Sequence, residues 1–430
     1  MEQVINIFWF RRDLRINDNT GLAAALGSGK MVLPIFIFDD NITEELPSDD
    51  PRISFIYDNL TKINTFLSSC QSALEILKGD PYNVWSALIK KYNISEVYYN
   101  RDYEPYALER DFRICKLLET KGIKCREFKD QVIFEKKEIV KPDATPYTVF
   151  TPYKNTWLKR YRAEGIKSAA LIDKNSFARI ESRFPEPGDL GFKQSTIKVK
   201  PYKLDVADNY EGTRNYPAID GTSMLGPHLR FGTVSIRDII KGLKPGNISF
   251  LNELIWREFF MQILFSFPDV VTGNFKRKYD NIRWRNNESE FEAWCKGQTG
   301  YPLVDAGMRQ LMQTGYMHNR VRMVTAGFLC KHLLIDWRWG EAYFAEKLLD
   351  YELSSNNGNW QWAAGTGCDA APYFRVFNPS EQLKKFDSKL DYVKKWLPEL
   401  SSQGYPEPIV DHSYARNRAI ETYRKALRDI

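Results

Sequence analysis

The first 130 or so residues alternate short apolar runs with amphipathic stretches. Asn6–Phe10 and Val32–Phe38 predict two buried strands, and Leu74–Leu77 and Val97–Tyr99 predict two more. Between them lie helical patterns such as Val84–Ile89. Alternation of this kind predicts a parallel sheet with helices on both faces, a form that takes ligands at the carboxyl ends of its strands. From 131 to 200 the pattern loosens, with prolines at 142, 146, 152, 185 and 187, and predicts a long connector. From 201 to 430 the period is helical, as in Phe250–Leu264 and Val304–Met312. The expected organisation is an α/β domain over 1–130, a linker over 131–200 and an all-α domain over 201–430.

Composition narrows the classes. Of 430 residues, 43% are hydrophobic and 27% charged, which suits a soluble chain with ample core. No apolar run approaches the roughly 20 residues of a membrane span, and Met1–Asn6 lacks the pattern of a secretory leader. The six cysteines form no CxxC pair and no disulfide-like framework, so a reducing cytoplasm is expected. Four histidines without paired Cys/His spacing argue against zinc, and no metal site is expected. A net charge of +6 permits a polyanionic partner without demanding one. Gly27-Ser28-Gly29-Lys30 fails as a phosphate loop, because Ala24 stands where the first glycine belongs and Met31 replaces the hydroxyl residue. Eight of the eleven tryptophans follow residue 250. Core filler accounts for most, but an indole N–H is costly to bury unpartnered, so clusters of it raise a second question.

Four segments carry candidate chemistry. Glu253, Trp256 and Arg257 share one helix face, a carboxylate, a flat aromatic and a guanidinium that suit a planar polar ligand such as a DNA base. An i,i+4 surface pair beside a core tryptophan is an equal account of these three alone. Gly315–Met323 sets His318 four residues before Arg322, and Asp350 is the acid expected to pair with Arg322. Asp350–Trp362 packs two carboxylates, three asparagines and two tryptophans together, too polar for a plain core. Gly221–His228 places hydroxyls and amides ahead of a helix, where a phosphate or an ordinary cap fits equally.

Together with Trp9–Arg15, Asp102–Tyr106, Tyr147–Tyr153, Thr299–Ala306, Leu334–Arg338 and Asp369–Arg375, these segments resemble the photolyase/cryptochrome family over essentially the whole chain. The likeness is closest to the class I photolyases that act on cyclobutane pyrimidine dimers. The resemblance implies a Rossmann-like antenna domain, a linker and a helical domain holding FAD. It implies a monomer that binds UV-damaged DNA and no membrane. It places the FAD phosphates and ribose at Tyr210, Thr222, Ser223, Met224 and Leu225, and an ion pair of Arg322 with Asp350 beside the flavin. Glu352 falls where the family usually has aspartate, and Asn356 falls nearest flavin N5. Trp360, Trp337 and Trp284 match the chain that carries an electron inward from the surface. Trp256 and Trp362 match the aromatics flanking a flipped dimer, with Glu253, Asn319 and Met323 touching its bases. Arg257, Arg320, Arg375 and Lys385 match contacts to the DNA backbone. Relatives hold a folate, a deazaflavin, a second flavin or nothing in the N-terminal domain, and Glu109 matches a position that contacts folate in some of them, although Leu108 replaces the amide found beside it.

Three readings follow from the resemblance: a dimer photolyase, a (6-4) photolyase, or a blue-light receptor without repair. Asn356 and the His318–Met323 segment resemble the dimer enzymes, which is the expected function. A flipped dimer stacks and pairs poorly, so extruding it costs less than flipping normal bases.

Overall fold

The computed structural model describes residues 3–400 and 404–428. Its N-terminal sheet has five parallel strands in the order β3-β2-β1-β4-β5, with β1 Ile5–Phe10, β2 Val32–Asp39, β3 Glu75–Gly79, β4 Ile94–Asn100 and β5 Lys124–Phe128. Every residue of β1 and β2 is buried, as central strands covered on both faces require. Alternation along those strands sorts side chains between two cores. Phe8, Phe10, Phe36 and Phe38 pack against α1 (Thr20–Leu26) and α2 (Pro51–Ser68). Ile7, Trp9, Ile35 and Ile37 pack against α3 (Pro81–Lys91) and α4 (Pro105–Glu119). Helix starts follow from local chemistry: Asp50 and Asp80 cap α2 and α3 by accepting from Arg52 N and Asn83 N, with proline at the first helical position. β5, absent from the expected strands, is a polar edge of sequence Lys-Cys-Arg-Glu-Phe, and so lacks the apolar run that marks a central strand.

The compact units are interleaved along the chain rather than divided at 130 and 200. One comprises 1–138, 158–202 and 224–243; the other comprises 139–157, 203–223 and 244–430. The stretch expected to be a surface connector contributes core: Phe177, Leu190 and Phe192 are buried in the α/β unit, and Ala178 N donates to Val32 O at 2.8 Å. Three apolar anchors outweigh the prolines around them.

The second unit is helical. It contains α5 Ile248–Ser266, α6 Pro302–Thr314, α7 Asn319–Gly327, α8 Trp337–Lys347, α9 Leu353–Ala364, α10 Pro379–Phe386 and α11 His412–Arg428. Buried Asp305 clasps the turn before α6, accepting from Thr299 N, Gly300 N and Tyr405 OH. Two glycines let helices approach α9 closely. A Cβ at Gly358 would meet the Phe260 ring of α5 at 2.2 Å, and one at Gly340 of α8 would meet Trp360 at 2.1 Å. Those approaches set the distances at which α9 presents its polar residues.

Candidate functional site

Along α5 the three residues expected to act together take different partners. Glu253 accepts from Arg214 at 2.8 Å; burial raises its carboxyl above the usual range, while Arg214 pulls it down. Trp256 has Phe150 stacked flat on it, ring centroids 3.7 Å apart and planes 7° apart, and Phe259 edge-on. Arg257, expected at the DNA backbone, is instead folded inward to Glu352 at 3.0 Å, with side chains 13% and 5% exposed. Glu352, expected at the flavin, thereby spends its charge on α5, and its second oxygen accepts from Ser355. The extra methylene of glutamate over aspartate gives this carboxylate its reach between helices.

On α7, His318 is the N-cap, its Nδ1 accepting from Arg320 N at 3.1 Å. Arg322 donates through Nη2 to both oxygens of Asp350, at 3.1 and 2.9 Å, and through Nε to Met317 O. Asn319 is exposed at the first turn of α7 and Met323 is half-buried one turn on. Arg320 donates to Asn215 Oδ1 and lies over Phe386, 4.5 Å from its centroid. Burial, with Arg214 and Arg375 nearby, lowers its guanidinium below the ordinary value. Lys385 lies over the same Phe386 ring at 5.3 Å, and both Arg375 and Lys385 are exposed. A basic patch therefore gathers Arg214, Arg320, Arg375 and Lys385.

On α9, buried Asn356 donates through Nδ2 to Glu341 O at 3.0 Å and to Glu341 Oε1 at 2.9 Å, which leaves its carbonyl oxygen as an acceptor. Trp360 and Trp337 are almost wholly buried in the helical core, and Trp284 packs half-buried against the same core. Trp337 Nε1 donates to Asn274 Oδ1 at 2.9 Å. Trp284 meets Tyr423 edge-on at 6.0 Å. Trp362 is half-buried in the last turn.

Tyr210 rests edge-on against Phe250 at 5.2 Å, and burial pushes its hydroxyl up to about 12. Thr222 and Ser223 fall with Tyr210 in the helical unit, whereas Met224 and Leu225 fall in the α/β unit. Met224 adopts a left-handed backbone, φ 54°, before a short helix at Leu225–Arg230. Glu109 is exposed on α4 and lines a cavity of about 100 Å³ with Asn41, Asp80, Tyr82, Tyr106, Arg110 and Arg113.

Spacing in the sequence did not reveal Phe150, Arg214, Asn215 or Glu341, which hold Trp256, Glu253, Arg320 and Asn356; each reaches its partner from a remote or unpatterned stretch. The donor set fits a large polar cofactor. Buried Asn252 Oδ1, Arg320 Nε and Ser354 Oγ, on α5, α7 and α9, have no protein partner. Among the described residues no group of three or more His, Cys, Asp or Glu is placed to hold a metal ion, and no helix is long and apolar enough to cross a membrane.

Comparison with known proteins follows the same outline. Residues 6–171 match the DNA photolyase domain, and residues 250–403 match the FAD-binding domain of DNA photolyase. The deoxyribodipyrimidine photo-lyase of Halobacterium salinarum is 35% identical, across 99% of this chain and all of its own length. The crystal structure of an archaeal photolyase from Sulfolobus tokodaii, which holds two FAD molecules, superposes with a TM-score of 0.87 at 36% identity, covering 97% of this chain and 99% of that one. A Synechocystis cryptochrome superposes at 0.86 with 26% identity, covering 98% and 99%. With a two-domain fold shared end to end and identity above one third along its whole length, the chain belongs to the photolyase/cryptochrome family.

Proposed function

We propose that this protein repairs cyclobutane pyrimidine dimers in DNA by light-driven electron transfer. The observation that carries the reading is the convergence of α5, α7 and α9, which brings Glu253, Trp256, Arg322 and Asn356 from distant stretches into one helical unit with unpartnered polar groups among them. Bound FAD, reduced and excited by light, supplies an electron that opens the dimer's ring and is then returned.

The protein's own residues do the rest. Asn356, anchored through its nitrogen by Glu341, offers a carbonyl oxygen to the cofactor's edge. The Arg322–Asp350 pair keeps one rigid, nearly neutral polar wall. Tyr210, Thr222 and Ser223 hold the phosphates and ribose. Trp256, backed by Phe150, is one wall for the extruded lesion and Trp362 the other, with Asn319 and Met323 touching its bases. Glu253, its carboxyl raised by burial against the pull of Arg214, is the group that meets a lesion carbonyl and steadies charge developing there. Trp284, Trp337 and Trp360 conduct an electron inward. Arg320, Arg375 and Lys385 take the phosphates; Arg257 is excluded from that set by its pairing with Glu352. A light-harvesting chromophore belongs in the α/β unit, where Glu109 lines a small cavity with Tyr82, Tyr106, Arg110 and Arg113. A reducing cytoplasm suits the six free thiols.

The test is DNA carrying one thymine dimer, incubated with protein in the dark and under blue light. Restoration of both bases in light alone is expected. Cofactor binding without restoration would make the protein a receptor. Trp360→Phe should leave dark binding of FAD intact and stop its reduction by light with an external donor.

A further inference from the structure

Two cysteines meet in the α/β unit. Cys115 lies on α4 and Cys125 on β5. Cys125 stands opposite Val97 of β4, and Tyr99, two residues along, emerges on the same face, its hydroxyl 3.2 Å from Cys115 Sγ. Both cysteines are half-buried against the cluster that contains Trp9, Val97, Ile114 and Leu118. The two side chains pack on the same face of the sheet edge, Cys115 from α4 and Cys125 from β5. Neighbouring Cys125, with the Tyr99 hydroxyl, holds the Cys115 thiol below its ordinary range against burial and the carboxylates of Asp111 and Glu127, while Cys125 itself is raised by Cys115 and by burial. Burial raises the thiols of Cys295 and Cys368 to about 12 and about 11, and that of Cys330 as well.

We propose that Cys115 and Cys125 form a peroxide-reactive dithiol that closes reversibly to a disulfide between α4 and β5. The Cys115 thiolate attacks one oxygen of hydrogen peroxide; the O–O bond breaks, an S–O bond forms, and the departing hydroxide takes a proton to become water. The Cys125 sulfur then attacks the Cys115 sulfur, the S–O bond breaks and the S–S bond forms. The hydroxyl group leaves with the Cys125 proton as a second water. The two sulfurs together lose two electrons and the peroxide gains them. Because α4 also carries Tyr106, Glu109, Arg110 and Arg113 of the cavity, the bridge would pin to the sheet edge the helix that forms one of its walls.

The test needs no cofactor. Purified protein is treated with a small excess of hydrogen peroxide, alkylated and cut with a glutamyl endopeptidase. Cuts after Glu109, Glu119 and Glu127 put Cys115 in peptide 110–119 and Cys125 in peptide 120–127. The expected product is these two peptides linked, two hydrogens lighter than their sum and separated by dithiothreitol. Alkylation of both cysteines should fall at least about tenfold, while half-buried Cys70 keeps reacting. In Cys125→Ser, dimedone should trap a sulfenic acid at Cys115. Unlinked peptides with Cys115 no more oxidised than Cys70, or linkage only between separate chains, would overturn the proposal.

Discussion

Arg237 in the α/β unit and Arg320 in the helical unit are both withdrawn from solvent, yet their electrostatics run in opposite directions. Burial works to lower each. Around Arg237, Asp130 and Asp18 at 2.8 Å outweigh burial and hold the guanidinium above its ordinary value. Around Arg320 the neighbours are Arg214 and Arg375, its hydrogen-bond partner Asn215 is a neutral amide, and the guanidinium is lowered. Arg11 with Asp111, Arg12 with Asp102 and Glu104, and Arg15 with Asp130 are likewise closed by carboxylates. The contrast separates charge used to build a fold from charge left for a partner. A guanidinium closed by carboxylates is complete inside the protein, whereas one crowded by other cations gains from an incoming anion.

Breaking the closed network should have the largest effect. Asp130→Asn removes the shared acid of Arg15 and Arg237, and should cost about 3–5 kcal/mol of stability by denaturant titration. A loss below about 1 kcal/mol would show that these charges are screened and that the contrast with Arg320 is false.

Trp256→Ala should leave undamaged-DNA affinity nearly unchanged and remove about 1–3 kcal/mol of preference for the dimer, read from paired binding titrations. Equal losses on both DNAs would make Trp256 part of the phosphate patch instead.

Arg320→Ala should shift stability by less than about 1 kcal/mol and weaken damaged and undamaged DNA alike. The slope of log affinity against log salt should become shallower by about 1. A steep loss of stability here would place Arg320 with Arg237.

The smallest effect concerns pH. Burial, then Arg322 and Arg320, push the His318 imidazole down to about 4 from 6.5. Between those values the unfolded chain binds a proton that the folded chain does not, so stability should fall as pH drops from 6.5 toward 4 and level off below. His318→Asn keeps a capping oxygen and should lack this component in thermal melts at stepped pH. An identical profile would remove His318 as its source.

Much of the fold was legible because it rests on period. The runs Asn6–Phe10 and Val32–Phe38 could only be buried parallel strands once helices alternated with them, and Phe250–Leu264 could only be a helix buried on most sides. β5 was not legible, since an edge strand needs no apolar run. Interleaving of the units was hidden for a related reason: Phe177, Leu190 and Phe192 are isolated apolar residues, and only a docked chain shows that they share a core with Phe36 and Phe38.

The site divides the same way. Residue types in local patterns (the Glu253–Arg257 turn, the asparagine-rich run ending at Trp362, the Arg322 segment with Asp350) were enough to name the chemistry, because types and short spacings are one-dimensional facts. Which charge is spent and which is free was decided only in three dimensions. Arg257 and Arg320 look alike in sequence, but Glu352 crosses from α9 to close the first, while Arg214 and Arg375 crowd the second. Partners this far apart along the chain are chosen by helix packing, down to the missing Cβ of Gly340 and Gly358, and packing depends on volumes that no local pattern records.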